Sequence, residues 1–337
     1  MPQLPQRPNA RRSRGSRTRR PKGVPTSTLI ASVSLAAGLL GLVFFAQSLL
    51  ARVGSAEEAT ASPGSALARP SPGPCASLWS ERAPALEDGL APPAPSEKAI
   101  QTCLAEAKAA ASLASKIPST WRAMRSAHYL SAFTSAADSE KVSALENAAT
   151  LADQSLEDLA AALGESELLK WKGAELATRL ERKGFDPDDV ARLHFWTAIV
   201  WGAKGQSAGL LAIVRDGVAN RMHDNARIAV RLDPSIDRGG AYRLLSRLNA
   251  DLPRVPFISG WVDREKALPQ AKKALAQGPT EPGNQLILAL ALLDQEEKSG
   301  SEIRALLRSA TSAAPRPSLR AEDWAVQKQA QEVLDAL

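Results

Sequence analysis

Ser207 sits in Gly205-Gln206-Ser207-Ala208-Gly209, which fits the G-x-S-x-G pattern of a hydrolase nucleophile elbow. Such a serine acts only at a strand-to-helix turn, with an acid and a histidine following it to take its proton. Asp216 and His223 do follow, but His223 comes only 16 residues later, inside the same expected helix, and no series of strands surrounds it. The ordinary reading of this stretch is a turn between helices, and no catalytic residue is assigned. The three histidines, His128, His194 and His223, are scattered without a second ligand at metal spacing, so they read as surface or packed residues. No Gly-Lys-Ser/Thr phosphate loop is present, and neither a metal nor a cofactor is expected. Two cysteines, Cys75 and Cys103, permit one disulfide in an exported chain and would equally serve as two unpaired thiols.

The elements that would position any site are helical. Aromatic residues make up 4% of the chain, and the apolar content is dominated by Ala and Leu, which favour helices over sheets. The net charge of +6 would suit a nucleic-acid partner were it spread over a domain. Instead eight basic residues and no acidic ones precede Thr28, and the rest of the chain carries 34 basic against 36 acidic residues. A nucleic-acid role is therefore not expected.

Directly after this basic tail, Thr28 to Ala51 is a run of 24 residues without a charge. At about 1.5 Å per residue it is long enough to cross a hydrocarbon core of roughly 30 Å. The cations before it place the N-terminus in the cytoplasm and everything after it outside. A cleaved signal peptide ending near Gly54-Ser55-Ala56 is the competing reading, and the length of the run favours an uncleaved anchor in the inner membrane. Ser34/Gly38 and Ala37/Gly41 place small residues four apart, a spacing that permits close approach of two spans and a homo-oligomer.

The expected organisation is a basic, disordered cytoplasmic tail over 1–27, a transmembrane helix over 28–51, a Pro/Ala/Ser-rich disordered linker over 52–95 and a helical domain over 96–337, with a subdivision possible near 165. In the last of these, Val142, Leu145, Ala149, Ala152, Leu156, Leu159 and Leu163 form one apolar stripe along a helix over 139–163. Asp186-Pro187-Asp188-Asp189 supplies an N-cap, a first-turn proline and carboxylates at the positive helix end. Ser96, Ser139, Ser166, Asp263 and Ser318 are further candidate caps. Helices are expected near 97–116, 119–135, 139–163, 166–183, 188–203, 207–232, 239–250, 264–277, 282–298, 301–314 and 318–336. Pro269 should kink or restart the eighth of these. Asn284 to Asp294 is apolar nearly all round and should form an inner helix.

A helix closed by a proline turn recurs at Pro234, Pro279 and Pro315, spaced by 45 and 36 residues, near the tetratricopeptide period but irregular. The expected fold class is thus all-α, a degenerate tetratricopeptide-like helical repeat domain behind one transmembrane helix and a linker.

From about Ala191 to Pro315, three blocks carry a resemblance: RLHFWTAIVWGA (Arg192 to Ala203), AVRLDPSIDRGGAYRLLSRL (Ala229 to Leu248) and DREKALPQAKKALAQGPTEPGNQLILALALLD (Asp263 to Asp294). Asp233-Pro234, Gly239-Gly240 followed by Arg243, Lys266-Ala267 and Asn284 fall in the same order as in the T component associated with tripartite ATP-independent periplasmic (TRAP) transporters, which this stretch resembles. The resemblance implies an exported helical scaffold that docks a periplasmic solute-binding protein and holds a small ligand in an internal channel. Those family members look like lipoproteins. No cysteine directly follows the apolar span here, and Cys75 is preceded by Pro-Gly-Pro and not by a lipidation box, so a membrane helix would replace the lipid anchor. Candidate groove residues are Trp196, Trp201, Gly239, Gly240, Arg243 and Asn284. A general tetratricopeptide-like adaptor for other envelope proteins is the alternative.

Overall fold

A computed structural model describes residues 73–79, 90–208, 217–256, 259–295 and 300–337. The expected basic tail, the membrane span and most of the linker lie outside the described residues. Among the described residues, no helix is long and apolar enough to cross a membrane.

The described chain is helical, and its one β-type pairing is an isolated bridge between Ala91 and Thr134. A short helix α1 (Pro74–Leu78) precedes α2 (Ala94–Ala109), α3 (Leu113–Phe133) and α4 (Asp138–Leu163). A 3-10 turn at Leu168–Lys170 leads to α5 (Gly173–Arg182), then α6 (Pro187–Ala208) and α7 (Val218–Leu232). The last group is α8 (Gly240–Asp251), α9 (Ala267–Gln277), α10 (Pro282–Asp294), α11 (Gly300–Ser312) and α12 (Arg320–Asp335).

Several boundaries differ from expectation, each for a local reason. Ser112, not a residue near Pro118, begins the second long helix: its hydroxyl accepts from the Ser115 N–H at 3.2 Å, and Pro118 lies within α3. Ser96 lies inside α2, which starts two residues earlier at Ala94. The expected helix over 166–183 divides, because Leu168–Lys170 is a 3-10 turn and α5 starts only at Gly173. The turn expected near Gly205 is not there, since α6 runs on to Ala208. The helix expected over 207–232 starts instead at Val218, after Gly217 with φ of 62°. Pro269 restarts rather than kinks its helix: Arg264–Lys266 is a 3-10 turn capped by Asp263, and Pro269 occupies the first turn of α9, where its missing N–H leaves no bond unmade.

Asp186 caps α6 as its sequence suggests, accepting from the Asp188 N–H at 2.9 Å. This helix is the centre of the larger apolar core. Leu193, Phe195, Trp196, Ile199 and Val200 are all buried, each worth about 1.5–3 kcal/mol relative to exposure. It packs on α3, α4 and α7 at once.

The larger core runs without a break from Ile117 to Val262, and a second begins at Leu268 and includes Leu286, Leu292, Leu307 and Val326. The two larger apolar clusters therefore part between α8 and α9. Beyond α7 each helix packs on its successor, and α8 also touches α10, which in turn touches α12. The inner helix expected from Asn284 to Asp294 is α10, buried on nearly every side between α8, α9, α11 and α12.

Cys75 and Cys103 are joined by a disulfide that clips α1 onto α2, and both cysteines are buried. The backbone N–H of Cys75 also donates to Glu106 at 2.7 Å, and Trp79 stacks edge-on against Tyr129 of α3. The bridge closes a loop with a sequence separation of 28. Chain-entropy arguments give such a loop about 3–4 kcal/mol. Denaturant unfolding of Cys75→Ser/Cys103→Ser should show a loss of that order, and the unreduced wild-type chain, denatured, should take up no maleimide.

Candidate functional site

Four of the six groove candidates, Gly239, Gly240, Arg243 and Asn284, come together, but in a buried polar network rather than an open groove. It begins in the turn between α7 and α8, where Asp237, Arg238 and Gly239 all adopt positive φ (48°, 50° and 92°). Such a conformation is strained for the first two and costs on the order of 1–3 kcal/mol each. At Gly239 no side chain fits: a Cβ would lie 2.7 Å from the carbonyl oxygen of Ala274 at the end of α9. A Cβ on Gly240 would meet Asp237 and the ring of Phe195 within 2.9 Å. These glycines let the turn lie directly on α9 and α6.

Asn284, fully buried at the start of α10, ties that contact down. Its amide nitrogen lies 2.8, 2.8 and 2.9 Å from the carbonyl oxygens of Ala274, Gly278 and Arg238, which share its two N–H hydrogens. Its oxygen accepts from Arg243 Nη1 at 2.7 Å, and Arg243 Nη2 donates to the carboxylate of Asp237. Glu281, the residue before α10, accepts from Arg238 at 3.3 Å and from Arg316 at 2.6 and 3.0 Å. Arg316 continues to Asp323 of α12 through its side chain and its backbone N–H.

Each charge in the network is set by burial against its partners. Burial pushes the Asp237 carboxyl up to about 8 in spite of the Arg243 guanidinium beside it. Burial also opposes ionisation of Glu281, but Arg316, Arg243 and Arg238 outweigh it and hold that carboxyl below its ordinary range. Three cations (Arg238, Arg243, Arg316) meet three acids (Asp237, Glu281, Asp323), and each acid is held by at least one arginine.

The other two candidates lie elsewhere in the larger core. Trp196 is buried against Phe195 and His128, and Trp201 is buried with its indole N–H donating to Asp153 at 3.1 Å and Arg221 4.3 Å above its ring. Both are packing residues with no free face. Ser207 lies in the last turn of α6, Gly209 and Asp216 lie outside the described residues, and His223 stacks on Trp261 at 3.8 Å. No strand that could carry a nucleophile elbow occurs among the described residues.

Sequence reasoning missed His194, which lines a cavity of about 180 Å³ between α4, α6 and α7. Its Nδ1 lies 2.6 Å from the side-chain oxygen of Asn225, and its buried Nε2 has no partner. Burial lowers its pKa to about 4, against the opposing hydrogen bond to Asn225. His128, packed against Phe133 and Trp196, is lowered by burial to about 3. A signal for its burial was available in its position between Leu193 and the pair Phe195-Trp196.

No protein-family model matches the chain, and no curated protein matches it.

Three outcomes follow from these geometries. Asn284→Leu strands several buried polar groups and should cost at least about 3 kcal/mol in denaturant unfolding, with Gly239→Ala costing at least about 2 kcal/mol. The folded pKa of His194 lies below the ordinary 6.5, so the unfolded chain takes up the proton first. Its contribution is intact above that value and is lost as pH falls through the window toward the folded one. Between about pH 6 and 4.5, His194→Gln should therefore lessen the acid-side loss of stability by roughly 1.4 kcal/mol per pH unit relative to wild type.

Proposed function

We propose that this chain is a membrane-anchored, extracytoplasmic helical scaffold of degenerate tetratricopeptide-like build, which acts by binding and docks a periplasmic solute-binding protein in the manner of a TRAP-associated T component. The observation that carries the reading is the linkage of the turns near Pro234, Pro279 and Pro315, together with the stacking of α8 on α10 and α10 on α12. Helical-repeat arrays are built this way: each hairpin buries its face on the next and presents a continuous surface of alternate helices.

Three further features support it. The disulfide between Cys75 and Cys103 suits an oxidising compartment outside the cytoplasm. The basic tail followed by the uncharged run over 28–51 suits an N-terminal inner-membrane anchor. The polar residues Arg243 and Asn284 of the resembling stretch serve internal geometry, which suits a scaffold whose docking is done by its surface.

The test is affinity capture with the full-length, detergent-solubilised chain from envelope extract of its own organism, followed by mass spectrometry and reconstitution with the purified partner. A solute-binding protein that is recovered and binds again when pure is the expected result. Recovery of only cell-wall, secretion or division proteins would sink the transporter role and leave a general envelope adaptor.

A further inference from the structure

The start of α12 rests in part on residues that precede α2. Ala321 and Ala325, in the opening turns of α12, belong to one apolar cluster with Trp79, Ala91 and, from α3, Tyr129 and Phe133. Ala321, Glu322 and Asp323 are all buried, and the opening turns are gripped on different faces. Asp323 meets Arg316, Val326 enters the second of the larger clusters, and Ala321 turns to the cluster around Trp79. Burial on that last face ties α12 to a part of the chain more than 200 residues earlier.

Trp79 directly follows α1 and keeps its place only while α1 is held down. Its ring stands edge-on to Tyr129 at 5.6 Å, with the Arg125 guanidinium 3.8 Å from the ring centre. The five residues of α1 are too few for a helix to hold itself together in water, and it has no side-chain cap of its own. The Glu106 carboxylate of α2 accepts from the Cys75 N–H instead, and Ser119 of α3 donates to the other oxygen of that carboxylate at 3.0 Å. The disulfide to Cys103 supplies the covalent tie across to α2. Ala91 is held separately, by backbone bonds to Phe133 and Ser135 at 2.7 and 3.0 Å, so the cluster can lose Trp79 and keep Ala91.

We propose that α1 is a redox-sensitive latch: a dithiol that opens the Cys75–Cys103 bridge frees α1, withdraws Trp79 and loosens the start of α12. One thiolate of the dithiol attacks a bridge sulfur, forming a mixed disulfide and releasing the other cysteine, which takes up the proton that the dithiol gave up. The second thiol of the reductant then closes on the first, so the chain is left with two cysteine thiols and the reductant with a disulfide. Both cysteines are buried, but they lie at a five-residue helix whose principal packing is on α2 and α3. Attack therefore needs α1 to open locally and not the bundle to unfold. The latch is independent of the docking reading above, since it concerns contacts within the chain.

The experiment is hydrogen exchange read by mass spectrometry on the full-length, detergent-solubilised chain, oxidised and after dithiothreitol, with alkylation and intact mass reporting the state of the bridge. Amides of Trp324–Ala330 in α12 should exchange at least about tenfold faster once the bridge is open, while those of α9 change by less than about twofold. Trp79→Ala with the bridge intact should give the same loss in α12, since it empties the seat and leaves both sulfurs in place. The comparison of oxidised and reduced wild-type chain needs no variant, so a variant that fails to fold does not protect the idea. Unchanged exchange in α12 with the bridge open, or in a folded Trp79→Ala chain, overturns it. So does an equal rise in α9 and α12, which would make the bridge a general brace, and so does a bridge that dithiothreitol opens only when the whole chain unfolds.

Discussion

The two larger apolar clusters among the described residues are fastened to each other in part by polar bonds. Burial alone is non-directional: it would hold α8 near α10 without choosing how their turns meet. The side chain of Asn284 makes that choice, since its two N–H hydrogens, shared among three carbonyls, and its accepting oxygen are satisfied only when the α7–α8 turn, the end of α9 and the start of α10 lie in one arrangement. A shift that breaks one of these leaves a buried polar group without a partner, at a cost of about 1–3 kcal/mol. A hydrophobic replacement of equal volume could match the burial but not this discrimination.

The strained backbone at Asp237 and Arg238 belongs to the same account. Left-handed φ at two successive non-glycine residues persists only where surroundings over-determine it. The carboxylate of Asp237 is held by Arg243, and the carbonyl of Arg238 accepts from Asn284. The side chain of Arg238 reaches Glu281, which Arg316 links onward to Asp323. Strain in one turn is thereby offset by bonds that belong to the next two.

How much of this was legible in the sequence depends on the kind of signal. The all-helical class, the apolar stripe of α4, the cap at Asp186 and the burial of α10 were readable because they rest on period and local chemistry. The break expected at Pro118 and the turn expected at Gly205 failed because both residues are tolerated inside helices when packing covers the loss. Gly239, Gly240, Arg243 and Asn284 were singled out together and do meet. Glu281, Arg316 and Asp323 were overlooked, because isolated charges on helical sequence look like solvated faces until the turns are brought together. His194 was passed over for a related reason: its partner Asn225 is 31 residues away, and no spacing rule joins them.

The network also bears on how the last five helices respond to a load. In an array held by neighbour-to-neighbour burial alone, one helix pair can slip while the rest stay in place. Here Glu281 is shared between Arg238 and Arg316, and Arg243 between Asp237 and Asn284, so the turns preceding α8, α10 and α12 do not move independently. Displacing α12 pulls Arg316 from Glu281, and a carboxylate left buried with fewer cations becomes more costly. That cost falls on the turn before α10, which through Asn284 fixes the turn before α8. A displacement of α12 is therefore felt at the turns before α10 and α8, which burial between neighbouring helices alone would not connect.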